Sequence, residues 1–378
     1  MWSSKRSPGP ALIRRLCTLG LPIEGIAPAL MRALCREAKC DAGVVIWFDA
    51  HGEVSDLYAH DLPSPQALAG WFAAPAAAIG APRLAARSSR LASGRKLVEI
   101  CADGVAKGRL EKTKGPEPFC AHRHLCGMAV PSGAALQRLC CVIVRDGAPV
   151  ASLILYRPSS GPAFSGEERL AVKAAGRYLS LNAGAATVDA NAEMYRVSGE
   201  DALVICEPDG RITRASGNAY ALLAQASGCP INRQTVPGQL ERAGGELIRR
   251  LLAGPALPTG SDARGPSRTA ALINAWGMFR LRVFFESDGP MAALIERVDH
   301  LLVRLCEAMW RLDLSVQQGE ALLLLAQGLN HESIAERMGV ALNTAVYHVR
   351  QLYTKLGAHT RDEAIARVLA AGEANVTM

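Results

Sequence analysis

A chain of 378 residues with a net charge of +7 has room for two or three domains with real cores, and its positive balance agrees with a polyanionic partner without establishing one. Eleven irregularly spaced cysteines and no signal peptide argue against a secreted disulfide framework. No stretch approaches about 18 uninterrupted apolar residues, and Arg14 and Arg15 interrupt the run at the basic start, so the expectation is a soluble, cytoplasmic protein that makes no membrane contact.

In chain order, residues 21–40 read as a helix. Gly43 to Phe48, GVVIWF, reads as a buried strand, followed by a turn at His51 and Gly52 and a second strand toward Tyr58. A helix is expected over residues 65–72 and a loop over the Ala-, Arg- and Ser-rich segment 81–96. The runs LQRLCCVIV and PVASLILY flank Asp146 and Gly147, a pair that tolerates the positive φ of tight turns, and are read as a hairpin. Ser165 and Glu168 then cap a helix whose Leu170, Ala174, Tyr178 and Leu179 share a stripe. A hairpin, then Phe-Ser-x-x-Glu and a long closing helix, resembles the end of a GAF domain, so residues 1–185 are read as a GAF-like sensory domain.

After a linker near residues 182–191, LVICEPDGRITRAS gives two short strands around Asp209 and Gly210, and Asn218, Ala219 and Leu222 open a helix. That order resembles the start of a PAS domain, which would occupy residues 192–297. Past the loop GPALPTGSDARGPS come strands at residues 269–275, 278–286 and 291–296. In the middle one, Phe279, Leu281, Val283 and Phe285 alternate with Arg280 and Arg282, as on a half-exposed antiparallel strand.

Residues 298–313 read as a connecting helix. Val298, Leu301, Leu305, Ala308 and Leu312 recur at intervals of three and four, the spacing of a coiled-coil seam. Two heptads are marginal alone, and a helix packed on its own domain gives the same spacing, so both readings stand.

The sharpest chemical cluster is Cys120, His122, His124 and Cys126 in FCAHRHLC. Thiolate and imidazole suit zinc, but ligands at every second residue line one face of a strand and cannot converge tetrahedrally without a sharp bend. A metal or redox site and a set of incidental polar residues are both open, and no metal is assigned. Cys140 and Cys141, inside an apolar run, read as core packing. No P-loop, dinucleotide-binding fingerprint, HExxH or GxSxG is present, so neither an enzyme activity nor a cofactor is expected.

The most informative stretch is the last, residues 314–375. Ser315 and Gln318 make a capping box for a first helix that Gly328 can close. Asn330 can cap a short second helix in which Ile334, Ala335 and Met338 face inward, and Gly339 supplies the turn. A third helix, from about Leu342 to Leu356, is expected to bury Ala345, Val349, Leu352 and Leu356 and to stop at Gly357. Thr360 and Glu363 form another capping box, opening a fourth helix that bears Ile365, Val368 and Leu369. Two helices joined by a short Gly-containing turn, the second with a polar outer face, make a helix-turn-helix.

This stretch resembles the LuxR-type (GerE-like) helix-turn-helix at Leu314, Ser315, Glu320, Ala326, Gly328, Leu329, Ile334, Ala335, Met338, Thr344, His348, Tyr353, Lys355 to Gly357, Arg361, Glu363 and Ala364. The resemblance implies a four-helix DNA-binding domain that pairs through its last helix. Two departures matter. Ala341 stands where the pattern has a capping Ser, at a cost of roughly 1 kcal/mol. Val346 stands where a DNA-touching Lys or Arg is common, which predicts a gentler salt dependence, with a thymine methyl as its alternative contact. Asn343, Val346, Tyr347 and Arg350 are the expected base readers, Arg350 toward a guanine, while Thr344, His348 and Lys355 would hold phosphates. Dimerisation is expected through Leu301, Leu305, Leu312, Ile365, Val368 and Leu369.

The expected architecture is therefore multidomain α+β, with two antiparallel-sheet sensory domains followed by an all-α DNA reader. The expected function is sequence-specific transcription regulation by a homodimer on double-stranded DNA. RNA polymerase and an unidentified small-molecule or protein signal are the further partners this reading allows. The alternative keeps the fold and makes the last module a protein-binding anti-activator that sequesters a partner and binds DNA weakly.

Overall fold

The computed structural model describes residues 9–52, 54–60, 100–103, 136–145, 148–158, 160–182, 188–232, 234–235, 239–253, 267–285, 289–310, 312 and 314–373. The helix expected at residues 65–72, the loop at 81–96, the Cys120 to Cys126 cluster and the turn at Asp146 and Gly147 lie outside those residues.

Helices α1 (Gly9–Cys17) and α2 (Ile23–Glu37) come first, then β1 (Ala42–Phe48), β2 (Val54–His60), β3 (Ile100–Asp103), β4 (Leu136–Arg145), β5 (Ala148–Pro158) and α3 (Gly166–Asn182). The five strands form an antiparallel sheet in the order β2-β1-β5-β4-β3. GVVIW, LCCVIV and SLILY are nearly continuous apolar runs because both faces of this sheet are covered. Val45, Cys141, Leu153 and Leu155 pack under α1, α2 and α3, while Val44, Cys140, Ile154 and Tyr156 face the other way, toward Ala224 and Ile231. Cys140 and Cys141 therefore point to opposite faces of one strand, as alternation in a pleated strand requires. The capping box of α3 is present: Glu168 N donates to Ser165 Oγ at 3.2 Å, and Ser165 N donates to Glu168 Oε2 at 2.6 Å. Its buried stripe is Val172, Ala175 and Leu179, and Leu170, expected on that stripe, is 64% exposed.

The second sheet repeats the order of the first. It uses β6 (Tyr195–Cys206), β7 (Ile212–Ala215), β8 (Ser267–Asn274), β9 (Gly277–Phe284) and β10 (Met291–His300), arranged β7-β6-β10-β9-β8. Between its strands lie α4 (Ala219–Ser227) and α5 (Gln239–Ala253). Here the alternation is clean, as the sequence MFRLRVF implies. Phe279, Leu281 and Val283 are buried with Ala293 and Ile295 under α4, whereas Arg280, Arg282 and Phe284 are exposed. Gly210 takes the turn between β6 and β7 at φ +85, a conformation that costs glycine little.

The connecting-helix reading of residues 298–313 needs correction. β10 runs on to His300, so Val298 is a strand residue, and the helix α6 spans only Leu301–Met309. Leu301 and Leu305 are buried in the chain's own core, with half-buried Leu312 packed against it. Intervals of three and four are satisfied by a helix lying on its own domain, and that is the arrangement found.

One cluster of charge fastens these parts. Arg297 on β10 is fully buried; its Nε lies 3.1 Å from Asp299 Oδ1, and its Nη2 donates to Trp276 O at 3.0 Å and to Gly25 O at 3.3 Å. Arg32 on α2 reaches Glu200 of β6 at 2.5 Å, Glu307 of α6 at 3.1 Å and Asp299 at 3.8 Å. One guanidinium thus ties the first sheet's helices to the second sheet and to α6. Burial opposes ionisation of Glu200, but Arg297 and Arg32 outweigh it and hold the carboxyl below the usual carboxylate range.

Candidate nucleic-acid interface

Four helices close the described chain: α7 (Val316–Ala326), α8 (His331–Met338), α9 (Leu342–Leu356) and α10 (Arg361–Glu373). Each boundary has a local cause. At α7 both bonds of the capping box are made, Gln318 N to Ser315 Oγ at 3.1 Å and Ser315 N to Gln318 Oε1 at 2.9 Å. Ser333 N donates to Asn330 Oδ1 at 2.9 Å to start α8, and Gly339 ends it in the left-handed region. Ala341 begins α9 with a cap-like backbone, φ −65 and ψ 149, and no side-chain cap. At α10 only half of the expected box forms. Glu363 N donates to Thr360 Oγ1 at 3.2 Å, while the Glu363 carboxylate accepts from His359 N at 2.8 Å instead of from the Thr360 amide.

Residues 339–341 make the turn of the helix-turn-helix, closed by Val340 N donating to Ala335 O at 3.0 Å. Ala345, Val349 and Leu352 of α9 are buried against α7 and α8. Asn343, Tyr347 and Arg350 lie opposite that stripe, four and three residues apart, and all three are exposed, Tyr347 by 57%. Thr354 continues the row and is exposed too, at the next step of the same spacing in the sequence. Exposed Thr344 and Lys355 lie with half-buried His348 along one flank, and half-buried Val346 lies on the other. The Tyr347 and His348 rings meet edge to face, 5.6 Å apart. The face is thus presented to solvent, with its seven expected contact residues in one band.

Its charge is light. α9 carries Arg350 and Lys355 and no carboxylate. Residues 314–373 as a whole carry five Lys/Arg, at 337, 350, 355, 361 and 367, against six Asp/Glu, at 320, 332, 336, 362, 363 and 373, a balance of −1. The Tyr353 phenol beside this face is pushed up by its partial burial, with Arg361 opposing.

The module is docked on the rest of the chain. Arg15 of α1 donates to Val316 O at 3.2 Å and lies against the buried Gly319 of α7, where any side chain would collide with its guanidinium. α10 lies along α6, and a Cβ on Gly372 would stand 2.9 Å from that of Ala308. Consequently the residues expected to pair two copies are already used. Ile365 and Val368 are buried, Leu369 is half-buried against the same core, and Leu301, Leu305 and Leu312 are packed as described above. A second copy would reach Ile365 and Val368 only by displacing the chain's own packing. Beside this contact a cavity of about 450 Å³ opens, lined by Arg32, Glu200, Arg304, Glu307, Trp310 and Leu369 among others.

Residues 312–368 match the family of bacterial regulatory proteins of the luxR family. The C-terminal module is therefore a LuxR-family helix-turn-helix domain. A probable transcriptional regulatory protein, SgaR of Hyphomicrobium methylovorum, is 31% identical over 117 residues, which are 29% of this chain and 53% of that protein. The chain thus spans about half the length of this curated relative. Among solved structures, the ligand and DNA complex of Vibrio cholerae VqmA aligns over 46% of this chain and 85% of its own, with 18% identity and a TM-score of 0.24. The sensor region of a sensor histidine kinase aligns over 75% of this chain and 98% of its own, with 13% identity and a TM-score of 0.17. Among the described residues no helix is long and apolar enough to cross a membrane.

Proposed function

From a C-terminal LuxR-family DNA-binding module, we propose that the whole chain is a sequence-specific transcription regulator whose two amino-terminal sheets form a GAF-like and a PAS-like sensory half. The observation that carries the reading is the exposed row Asn343, Tyr347 and Arg350 on the second helix of the helix-turn-helix, set opposite the stripe that fixes the helix in its module. In the major groove, Arg350 would take a guanine edge, Asn343 and Tyr347 other bases, and Val346 a thymine methyl. Thr344, His348 and Lys355 would rest on phosphates and set the register.

Control would pass through the docked contact. A signal that alters the cavity between α2, β6, α6 and α10 changes how firmly α10 is held, and with it where the reader is aimed. The light charge favours one alternative enough to keep it: a protein-binding anti-activator with weak DNA affinity. Selection of genomic fragments by the purified chain, at low and physiological salt, separates the two. A regulator enriches one sequence and loses preference at a single base position in Arg350→Ala; an anti-activator enriches none even at low salt.

A further inference from the structure

The second sheet has a face that no described element covers. Register places its outward residues in rows: Ile205, Ala292 and Phe284; then Leu203, Leu294 and Arg282; then Asp201, Glu296 and Arg280. Leu203 is 48% exposed and Phe284 39%. Ile205, Ala292 and Leu294 are half-buried, and Asp201, Arg280 and Arg282 are exposed. The first sheet, with the same strand order, has no comparable face, because apolar residues pack on both of its sides. Charge on these rows is divided: Asp201 lies on β6, Arg280 and Arg282 lie on β9, and Glu296 stands between them on β10, with Arg214 of β7 beyond Ile205.

That division makes the face complementary to itself. We propose that it pairs with the same face of a second copy, about a two-fold axis running along β10. Such an axis exchanges the β6 and β9 sides and keeps each row opposite its own kind. Leu294 then meets Leu294, Ile205 meets Phe284, and Leu203 lies under the stem of Arg282. Asp201 meets Arg280 at both ends of its row. Glu296, held 3.5 Å from its own Arg280, stands near the axis opposite the second Glu296, between the two Asp201–Arg280 pairs. Strands related by this axis run in the same direction, as aligned sheet packing requires. Three central strands of a few rows cover on the order of 400 Å² before side-chain relief, the low end for a specific contact, so the dimer is expected to be weak and reversible. Its use, setting two readers side by side for a two-fold operator, rests on the regulator reading; the surface itself does not.

Sedimentation equilibrium of the full chain without DNA tests the pairing. The wild type is expected to shift from monomer to dimer between about 1 and 100 µM. Leu294→Glu places two carboxylates at the axis, and Asp201→Arg faces Arg280 with a like charge; each is expected to weaken the dimer at least about tenfold. Combining Asp201→Arg with Arg280→Asp restores opposite charges across the axis and keeps a cation beside Glu296, so dimerisation should return. Thermal melts matching the wild type exclude misfolding as the cause. A chain that stays monomeric at every concentration overturns the proposal, as does a dimer indifferent to these variants, which would pair elsewhere. Loss of sequence selection in a chain that still dimerises through this face would sink the regulator reading alone.

Discussion

The buried joint around Arg297 and the outer face of α9 are opposite uses of the same side chains. At the joint, Arg32 and Arg297 are surrounded by Glu200, Asp299 and Glu307, and the peptide oxygens of Gly25 and Trp276 accept from Arg297. On α9, Arg350 faces solvent. Arg297, fully buried among these groups, is closed to a partner, whereas an exposed arginine on a rigid helix is available to one. Substitutions in the two regions should therefore fail in different assays.

The largest effect is expected at the joint. Arg297→Ala leaves Asp299 buried without its main counter-charge, a loss of about 3–5 kcal/mol by the usual cost of breaking a buried pair from one side. Chemical denaturation should record it, and a loss under about 1 kcal/mol would mean that the network holds little together. Arg350→Ala is the converse. It should remove about 1–3 kcal/mol of discrimination at one base position and leave the melting temperature within a degree or so of wild type. A destabilised Arg350→Ala with unchanged base preference would reverse the assignment of the two regions.

The same contrast explains what could be read from the sequence. Every boundary of the reader is set by residues within four positions of one another, such as Ser315 with Gln318, Asn330 with Ser333, and the glycines at 328, 339 and 357. Local hydrogen bonds leave a local trace, so its helices and its outer face were legible. The joint was not, because Arg32 and Glu307 lie 275 positions apart and nothing near either names its partner. α1 and α5 were also overlooked. α1 buries Leu12, Ile13 and Leu16, but Arg14 and Arg15 break the apolar run of its sequence. The spacing over residues 298–312 leaves its partner open for a related reason: apolar spacing says that a stripe is buried, never against what.

A third prediction concerns a second contact between the two halves, where β2 meets the segment after α4. Asp56 Oδ1 accepts from Leu57 N at 2.7 Å and from Ile231 N at 2.8 Å, and burial pushes this carboxyl up to about 6 despite those bonds. A carboxyl raised in the folded state keeps its proton where the unfolded chain has already lost it. Stability is thus drawn down as pH rises from about 4 to about 6, and the cost stays constant above. Asp56→Asn keeps the accepting oxygen and removes the charge. It should stabilise the chain by on the order of 1–2 kcal/mol at pH 7, with the gain vanishing near pH 4. A gain that does not depend on pH would show that packing, and not charge, sets the cost.

The smallest change sharpens the comparison from the reader's side. Ala341 already holds the extended backbone of a cap residue, and its carbonyl accepts from Thr344 N at 2.9 Å and Ala345 N at 3.1 Å, but no side chain serves the free amides at the start of α9. Ala341→Ser adds a hydroxyl within reach of those amides, worth about 1 kcal/mol. Since the helix start abuts the expected phosphate contact at Thr344, the gain in stability and any change in DNA affinity should separate. Melting should rise whether or not DNA is present, while base preference, which depends on residues 343–350, should not move. If capping instead alters which base is chosen, the first turn of α9 is ordered only on DNA, and the face would be shaped by its ligand where the joint is shaped by the fold.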